Sequence, residues 1–288
     1  MGLNKACVGK KYNPGIVFKV LKEPSPEVPF GTKTYALAYN DDNPWFLDES
    51  RPGGIIAPPM FGVVYSGPVV ALTFFDEELN VNMPRLVHGE QDMYFHNVVR
   101  PGDEIRSEGE ITEILEKETG EIYSVNVRSW NQKDELVLEA KYTFFIRGEK
   151  KGAKKEEKEE TYPPPVFSQT MKLKENQSLI YAEASGDRNP IHTDENFAKM
   201  VGLPGIILQG LCTMAIAQKA IIDEVLDRDP TRLKRLKVRF SKPVLNGDTL
   251  TTKGWIVEKK GNITVLGFVV ENQNGVIVVK DGIAEVVK

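Results

Sequence analysis

Two side chains with complementary proton chemistry share one short turn, Asp187-Arg-Asn-Pro-Ile-His192. A carboxylate and an imidazole held together can share an ordered water, one accepting a proton while the other delivers one. Asn189 lies between them, and its amide can orient either group. Pro190 restricts the backbone of the turn. The same residues also suit an Asx-capped turn with no chemical role, because Asp-x-Asn-Pro is turn chemistry in its own right. Other reactive residue types offer less. His88 and His96 have no metal-ligand spacing, and no metal is expected. Cys212 falls in an apolar run and reads as core, not nucleophile.

The neighbouring pattern predicts what holds this turn. Residues 176–184 read as a helix that Asn189-Pro190 stops. Residues 193–200 suit a short helix with Thr193 or Asp194 as N-cap. Gly202-Leu-Pro-Gly205 is a loop. From 208 to 226 the chain is apolar on nearly every helical face, which predicts a buried helix. Residues 233–238, 249–257, 264–272 and 276–287 read as strands, with turns at Asn246-Gly, Lys260-Gly and Asn274-Gly. A buried helix followed by an antiparallel meander predicts a sheet wrapped around a helix.

The turn occurs twice. Tyr35, Ala36, Ala38, Asp41, Asn43, Pro44, Asp48 and Glu49 recur as Tyr181, Ala182, Ala184, Asp187, Asn189, Pro190, Asp194 and Glu195, at a constant offset of 146. Arg100-Pro-Gly-Asp103 matches Asn246-Gly-Asp248 at offset 145. Duplication of one fold explains both. The first copy has strand patterns at 87–97, 105–115, 123–131 and 136–146. In its middle, Pro58-Pro59 and Pro68 are expected to break the counterpart of the long helix. Position 192 is His, but its partner is Phe46, which transfers no proton. One working site per chain is therefore expected.

Composition bounds the rest. A chain of 288 residues suggests two domains. Residues 148–160, GEKKGAKKEEKEE, balance Lys against Glu and hold no large apolar side chain, so a flexible tether is expected. The predicted division is 1–147, a charged linker at 148–162, and 163–288. A net charge of -4 and a pI near 5.6 argue against a nucleic-acid binder. Cys7 and Cys212 cannot form a disulfide framework, so a cytoplasmic location is expected. No apolar leader is visible. The apolar stretch at 206–226 is interrupted by Gln209, Gln218 and Lys219, which reads as a buried helix and not a membrane span.

Tyr181-Ala-Glu-Ala-Ser-Gly-Asp-Arg-Asn-Pro-Ile-His-Thr-Asp194, continued by Gly202-Leu-Pro-Gly-Ile-Ile-Leu-Gln-Gly-Leu-Cys-Thr-Met-Ala215, resembles the hydratase-2 motif of the MaoC-like dehydratases. These are R-specific enoyl-CoA hydratases and 3-hydroxyacyl thioester dehydratases. Leu86-Val-His-Gly-Glu-Gln91 and Val99-Arg-Pro-Gly-Asp103 resemble the N-terminal half of double hot-dog members, so the resemblance covers nearly the whole chain. It implies an α+β fold of two tandem hot-dog domains, each an antiparallel sheet wrapped around a central helix, forming a pseudo-dimer with a degenerate first half.

The resemblance also implies roles. Asp187 and His192 fall on the catalytic pair and Asn189 on its companion. Together they would activate water for addition to an α,β-unsaturated acyl thioester, or run the reverse dehydration. The N–H of Gly210, at the start of the central helix, is the natural donor to the thioester oxygen, although glycine there equally suits helix packing. Gln209 stands where many members have His, which bears on hydrogen bonding at the helix start. No cofactor is implied beyond CoA or an acyl carrier protein as the substrate's carrier. Arg235, Lys237 and Arg239 face outward on their strand and could meet its phosphates, or form an ordinary solvated face. With Phe46 at the silent position, room for a bulky acyl chain is expected there. A hot-dog thioesterase and a non-catalytic acyl-binding subunit are the competing readings. Association of two double hot-dogs into a homodimer stays open.

Overall fold

The computed structural model of the chain describes residues 2–148 and 161–287. In the first half, β1 (Lys11–Tyr12) and β2 (Val17–Lys19) precede α1 (Thr32–Ala38), α2 (Pro44–Leu47) and α3 (Gly62–Phe74). The strands β3 (Leu86–Phe95), β4 (Glu104–Lys117), β5 (Gly120–Trp130) and β6 (Leu136–Arg147) follow. The second half opens with β7 (Phe167–Lys172), then α4 (Gln177–Ser185), α5 (Glu195–Met200) and α6 (Gly210–Val225). It closes with β8 (Leu233–Phe240), β9 (Thr249–Lys260), β10 (Ile263–Asn272) and β11 (Ile277–Val287). Both expected meanders form within a few residues of their predicted limits. β1, β2 and β7 escaped the sequence reading because so few residues show little alternation. The proposed linker lies, from 149 to 160, outside the described residues.

All these strands join one antiparallel sheet in the order β1-β4-β5-β6-β3-β8-β11-β10-β9-β7, with β2 added on β4. The seam between the halves is β3 against β8, pairing Glu90 with Arg239, Asp92 with Lys237 and Tyr94 with Arg235. β8 occupies the place in its half that β3 occupies in the other. The seam is therefore the self-pairing of one element about a local twofold, the double hot-dog pseudo-dimer that the repeat implies. The sheet is wrapped around the two long helices.

Burial explains why α6 is apolar all round yet carries polar residues. Cys212, Met214, Ala215, Ile221 and Ile222 are buried in the core. Gln218 and Lys219 are buried as well, and both reach the first half. The Gln218 Oε1 accepts from the Met60 N–H at 2.9 Å. The Lys219 Nζ lies 3.1 Å from Asp42 and 2.5 Å from Asp223. No helix of the described residues is long and apolar enough to cross a membrane.

One expectation fails: α3 runs unbroken from Gly62 to Phe74 with Pro68 inside it. Proline removes one backbone donor and costs about 3 kcal/mol in an ordinary helix interior. Burial of Val63, Val64, Val69 and Val70 in the core offsets that loss. Pro58 and Pro59 lie before the helix, and Pro59 opens a 3-10 turn through Phe61, where a fixed φ suits the first position. Ser66 adds a tie, with its Oγ donating to the Gly62 carbonyl at 2.6 Å.

Candidate active site

α4 ends where Gly186 turns left-handed, with φ at 80°. A Cβ there would also lie 2.9 Å from the Phe30 ring, so the turn and the close approach both call for glycine. The next residues are tied by their own side chains. The Asp187 Oδ1 accepts from the Asn189 N–H at 3.4 Å, and the Asn189 Oδ1 from the Ile191 N–H at 3.3 Å. Asp194 caps α5, accepting from the N–H groups of Asn196 and Phe197 at 2.8 and 3.0 Å. The Asx-turn chemistry is thus present, and it holds Asp187 and His192 on opposite ends of a short rigid arc.

His192 is buried, with 7% of its surface exposed, while the Asp187 side chain is 38% exposed. The His192 Nδ1 sits 2.8 Å from the Ile207 carbonyl oxygen. A carbonyl only accepts, so Nδ1 carries the hydrogen and the neutral ring presents the Nε2 lone pair. That Nε2 is 3.8 Å from the Asp187 Oδ2. The separation is too long for a direct hydrogen bond and suits a bridging water or substrate oxygen.

Gln209 ties this arc to the central helix. Its Nε2 donates to the Asp187 carbonyl and to the Ser178 carbonyl, each at 3.1 Å. One amide therefore joins the α4 helix, the Asp187 backbone and the residue that precedes α6. Gly210 is the first residue of α6, so its N–H has no partner within the helix. A Cβ at Gly210 would lie 3.0 Å from the Phe240 ring, so close packing favours glycine here.

Asp187, Asn189, His192 and Gly210 line one cavity of about 1280 Å³. The opposite wall comes from the first half. Val64, Gly67, Pro68 and Ala71, on one face of α3, line it together with Tyr142 and Phe144 of β6. Sequence reading missed these walls because prolines obscured α3. Of the three basic residues expected near a carrier, only Arg239 lines the cavity. Arg235 is engaged across the seam, with Nε and Nη2 on the Asp92 carboxylate at 2.9 and 2.8 Å and Nη1 on Glu285 at 2.9 Å. Its guanidinium also lies over the Tyr94 ring. Neither Arg235 nor Lys237 lines the cavity. The alternation that turned them outward also set them against the acidic outer face of β3.

The corresponding turn of the first half is sealed. Asp41 is 1% exposed, its carboxyl pushed up to about 6 by burial against the opposing pull of Lys219, 3.7 Å away. Arg228 closes the outside on Asp42 at 2.8 Å. Asn97, Val98, Leu233 and Lys234 hold the repeat positions of Pro243, Val244, Val87 and His88, which line the large cavity. They enclose only about 50 Å³, against the Tyr65 side chain where the other copy has Leu211. Phe46 is fully buried in a separate small cluster with Ala36 and Ile56. The expected room at position 46 does not exist, because the local twofold places that turn beside Lys219 and Arg228. The space lies instead beneath α3.

Comparison with known proteins gives two family matches. A MaoC-like domain matches residues 156–279, and the dehydratase-domain region of FAS1-like proteins matches residues 32–140. The chain is 29% identical over 239 residues to probable enoyl-CoA hydratase 2 of Dictyostelium discoideum, covering 79% of this chain and 80% of that protein. It is 30% identical over 239 residues to 3-hydroxyacyl-thioester dehydratase Y of Mycobacterium tuberculosis, covering 79% and 78%. A MaoC-like dehydratase from Phytophthora capsici superposes with a TM-score of 0.77 at 22% identity, covering 100% of this chain and 98% of that one.

Proposed function

The chain belongs to the MaoC-like dehydratase and hydratase-2 family, and from that premise we propose that it hydrates trans-2-enoyl thioesters reversibly to (R)-3-hydroxyacyl thioesters, at one site per chain. The observation that carries this reading is the meeting of Asp187, His192 and Gly210 on a single large cavity. A water held between the Asp187 Oδ2 and the His192 Nε2 loses a proton to one of the pair as its oxygen bonds to C3. The group that took this proton then delivers it to C2, while the other holds the water by a hydrogen bond. Dehydration reverses both transfers. Negative charge gathers on the thioester oxygen meanwhile, where the Gly210 N–H and the positive end of α6 favour it. Asn189, whose Oδ1 accepts from the Ile191 N–H, has its Nδ2 left to orient the water or Asp187.

The acyl chain is assigned to the space beneath α3. From Arg239 on β8 the lining crosses β3, β6 and β5 to Lys117 on β4. Four interstrand steps amount to about 19 Å, the reach of a long acyl group. The carrier's phosphates are assigned to the side of Arg239, and CoA or an acyl carrier protein fits this reading. Two free, buried cysteines suit a reducing compartment, and the cytoplasm is the proposed location.

Incubation with crotonyl-CoA tests the reaction. Loss of the enone absorbance without release of free thiol is expected, with (R)-3-hydroxybutyryl-CoA as product. Release of thiol would replace this reading with a thioesterase. No change in either signal would leave an acyl-binding subunit.

A further inference from the structure

We propose that the outer face of β3, β5 and β6 seats an adenine nucleotide, and that the chain therefore takes its acyl group from coenzyme A and not from an acyl carrier protein. This rests on the hydratase reading and deepens it by naming the carrier.

The cavity passes through the sheet. Successive residues of a strand point to opposite faces. Tyr142, Thr143, Phe144 and Phe145 of β6 nevertheless all line the one space. Phe144 marks the inner face, with its ring 5.2 Å from that of Phe74 on α3. Phe145 therefore stands on the outer face. The passage lies where the seam between the halves ends. β3 pairs with β8 only from Glu90 to Tyr94, and β8 stops at Phe240. Beyond that point Val87 and Gly89 line the cavity from one side and Ser241 and Pro243 from the other, with no strand pairing between them. A thioester beside Gly210 would send its pantetheine arm out through this split, past Arg239, onto the outer face.

That face suits a flat group with negative charge at both ends. Val87, Phe145 and Ile122 pair in succession across β3, β6 and β5, and all three line the cavity. They are half-buried and lie outside the packed core. In the next row Lys117 pairs with Gly120, and Gly120 with Arg147. A Cβ on Gly120 would lie 2.8 Å from the Phe145 ring, so that ring reaches over the glycine between two cations. Both cations line the cavity, and no ion pair among the described residues engages either. Arg239 stands in the row on the other side of Phe145, 3.8 Å from Glu90 and 3.6 Å from Asp281. By sheet spacing Arg147 is roughly 7 Å from Phe145 and Arg239 roughly 12 Å, the scale of a nucleotide.

Glu118 shares this rim, so net charge alone does not choose the ligand. The aromatic face does. Adenine stacks on it, the diphosphate reaches back to Arg239, and the 3'-phosphate meets Lys117 and Arg147. The phosphopantetheine of a carrier protein has one phosphate and no base. It would leave the Phe145 ring and the two cations beyond it uncovered.

The test compares carriers in steady-state hydration by the full chain. The trans-2-decenoyl group is presented on coenzyme A, on pantetheine and on an acyl carrier protein. The coenzyme A thioester is expected to show a KM about tenfold or more below that of the pantetheine thioester. Phe145→Ser, and Lys117→Gln combined with Arg147→Gln, are each expected to raise KM on the coenzyme A thioester about fivefold or more with little change in kcat, which closes the gap to pantetheine. Adenosine 3',5'-bisphosphate is expected to compete with the coenzyme A thioester in the parent and to lose that effect in Phe145→Ser.

Equal KM for the coenzyme A and pantetheine thioesters would overturn the proposal, as would variants that raise KM equally on both. A preference for the carrier-protein thioester that the paired charge changes remove would overturn it too, and assign this face to docking of that protein. Failure of the hydratase reading would appear separately, as absent hydration on every carrier. Calorimetric binding of adenosine 3',5'-bisphosphate then decides the seat: loss of binding in Phe145→Ser upholds it, and no binding to the parent, or equal binding to both, overturns it.

Discussion

Tyr35 and Tyr181 hold the same position in the two copies, and their hydroxyls meet at 2.8 Å in the core between the halves. The contact looks symmetric, but its hydrogens are not. The Tyr35 hydroxyl also donates to the Met60 carbonyl at 2.9 Å, so Tyr181 must be the donor of the shared bond. Tyr181 then faces the large cavity while Tyr35 does not. The same division recurs outward from this pair. One turn opens on a substrate-sized space, and its copy is closed by ionic contacts.

Loss of either member of the pair should remove acid–base help. Asp187→Asn and His192→Ala are each expected to lower kcat on crotonyl-CoA by roughly 10²–10⁴. Phe46→Ala should cost about 3–5 kcal/mol of stability, as for a buried phenylalanine. Its kcat per folded molecule should be unchanged, because Phe46 lies outside the cavity. Near-normal rates in Asp187→Asn or His192→Ala would remove the site assignment.

Gln209 should act through Asp187. Gln209→Leu takes both hydrogen bonds from the Asp187 and Ser178 carbonyls. Misplacement of a positioned group is the expected effect, with kcat falling on the order of tenfold and KM changing much less. Gln209→His should recover part of the rate, since an imidazole can still donate one of these bonds. A loss confined to thermal stability would assign Gln209 to structure alone.

Gly67 should set acyl length. It lies on the cavity face of α3, and a Cβ there would meet nothing within 4 Å. Gly67→Leu fills the space and improves helix propensity by about 1 kcal/mol or less. Turnover of decenoyl-CoA should drop steeply while crotonyl-CoA hydration is retained. Parallel loss of both would show that the acyl group does not run beneath α3.

Asp41 should make stability fall as pH rises. Its folded pKa, about 6, stands above the ordinary 3.8, so the folded state binds this proton more tightly than the unfolded one. The favourable contribution is complete below about pH 4 and disappears as pH passes 6. Two pKa units correspond to about 3 kcal/mol. Asp41→Asn keeps an acceptor for the Asn43 N–H and removes the titration. Urea unfolding should show the variant gaining on the parent between about pH 4 and about pH 7. A constant difference across that range would mean that Lys219 holds Asp41 ionised throughout.

Much was legible in the linear chain, and the reason is locality. Alternation along β4, β5, β9 and β10, the apolar faces of α6 and the capped arc from Asp187 to Asp194 depend on near neighbours. So does the repeat, which exposed Phe46 as the silent partner of His192. The cavity walls, the sealed copy and the commitment of Arg235 depend on which strand of the other half lies opposite. Proton chemistry could be placed because Asp187 and His192 stand on one turn. Substrate room could not, because it is the gap between α3 and a sheet it packs on, and a gap has no residues of its own. Folding decided it when β3 paired with β8, which set the first half's helix across the cavity from the Asp187–His192 turn.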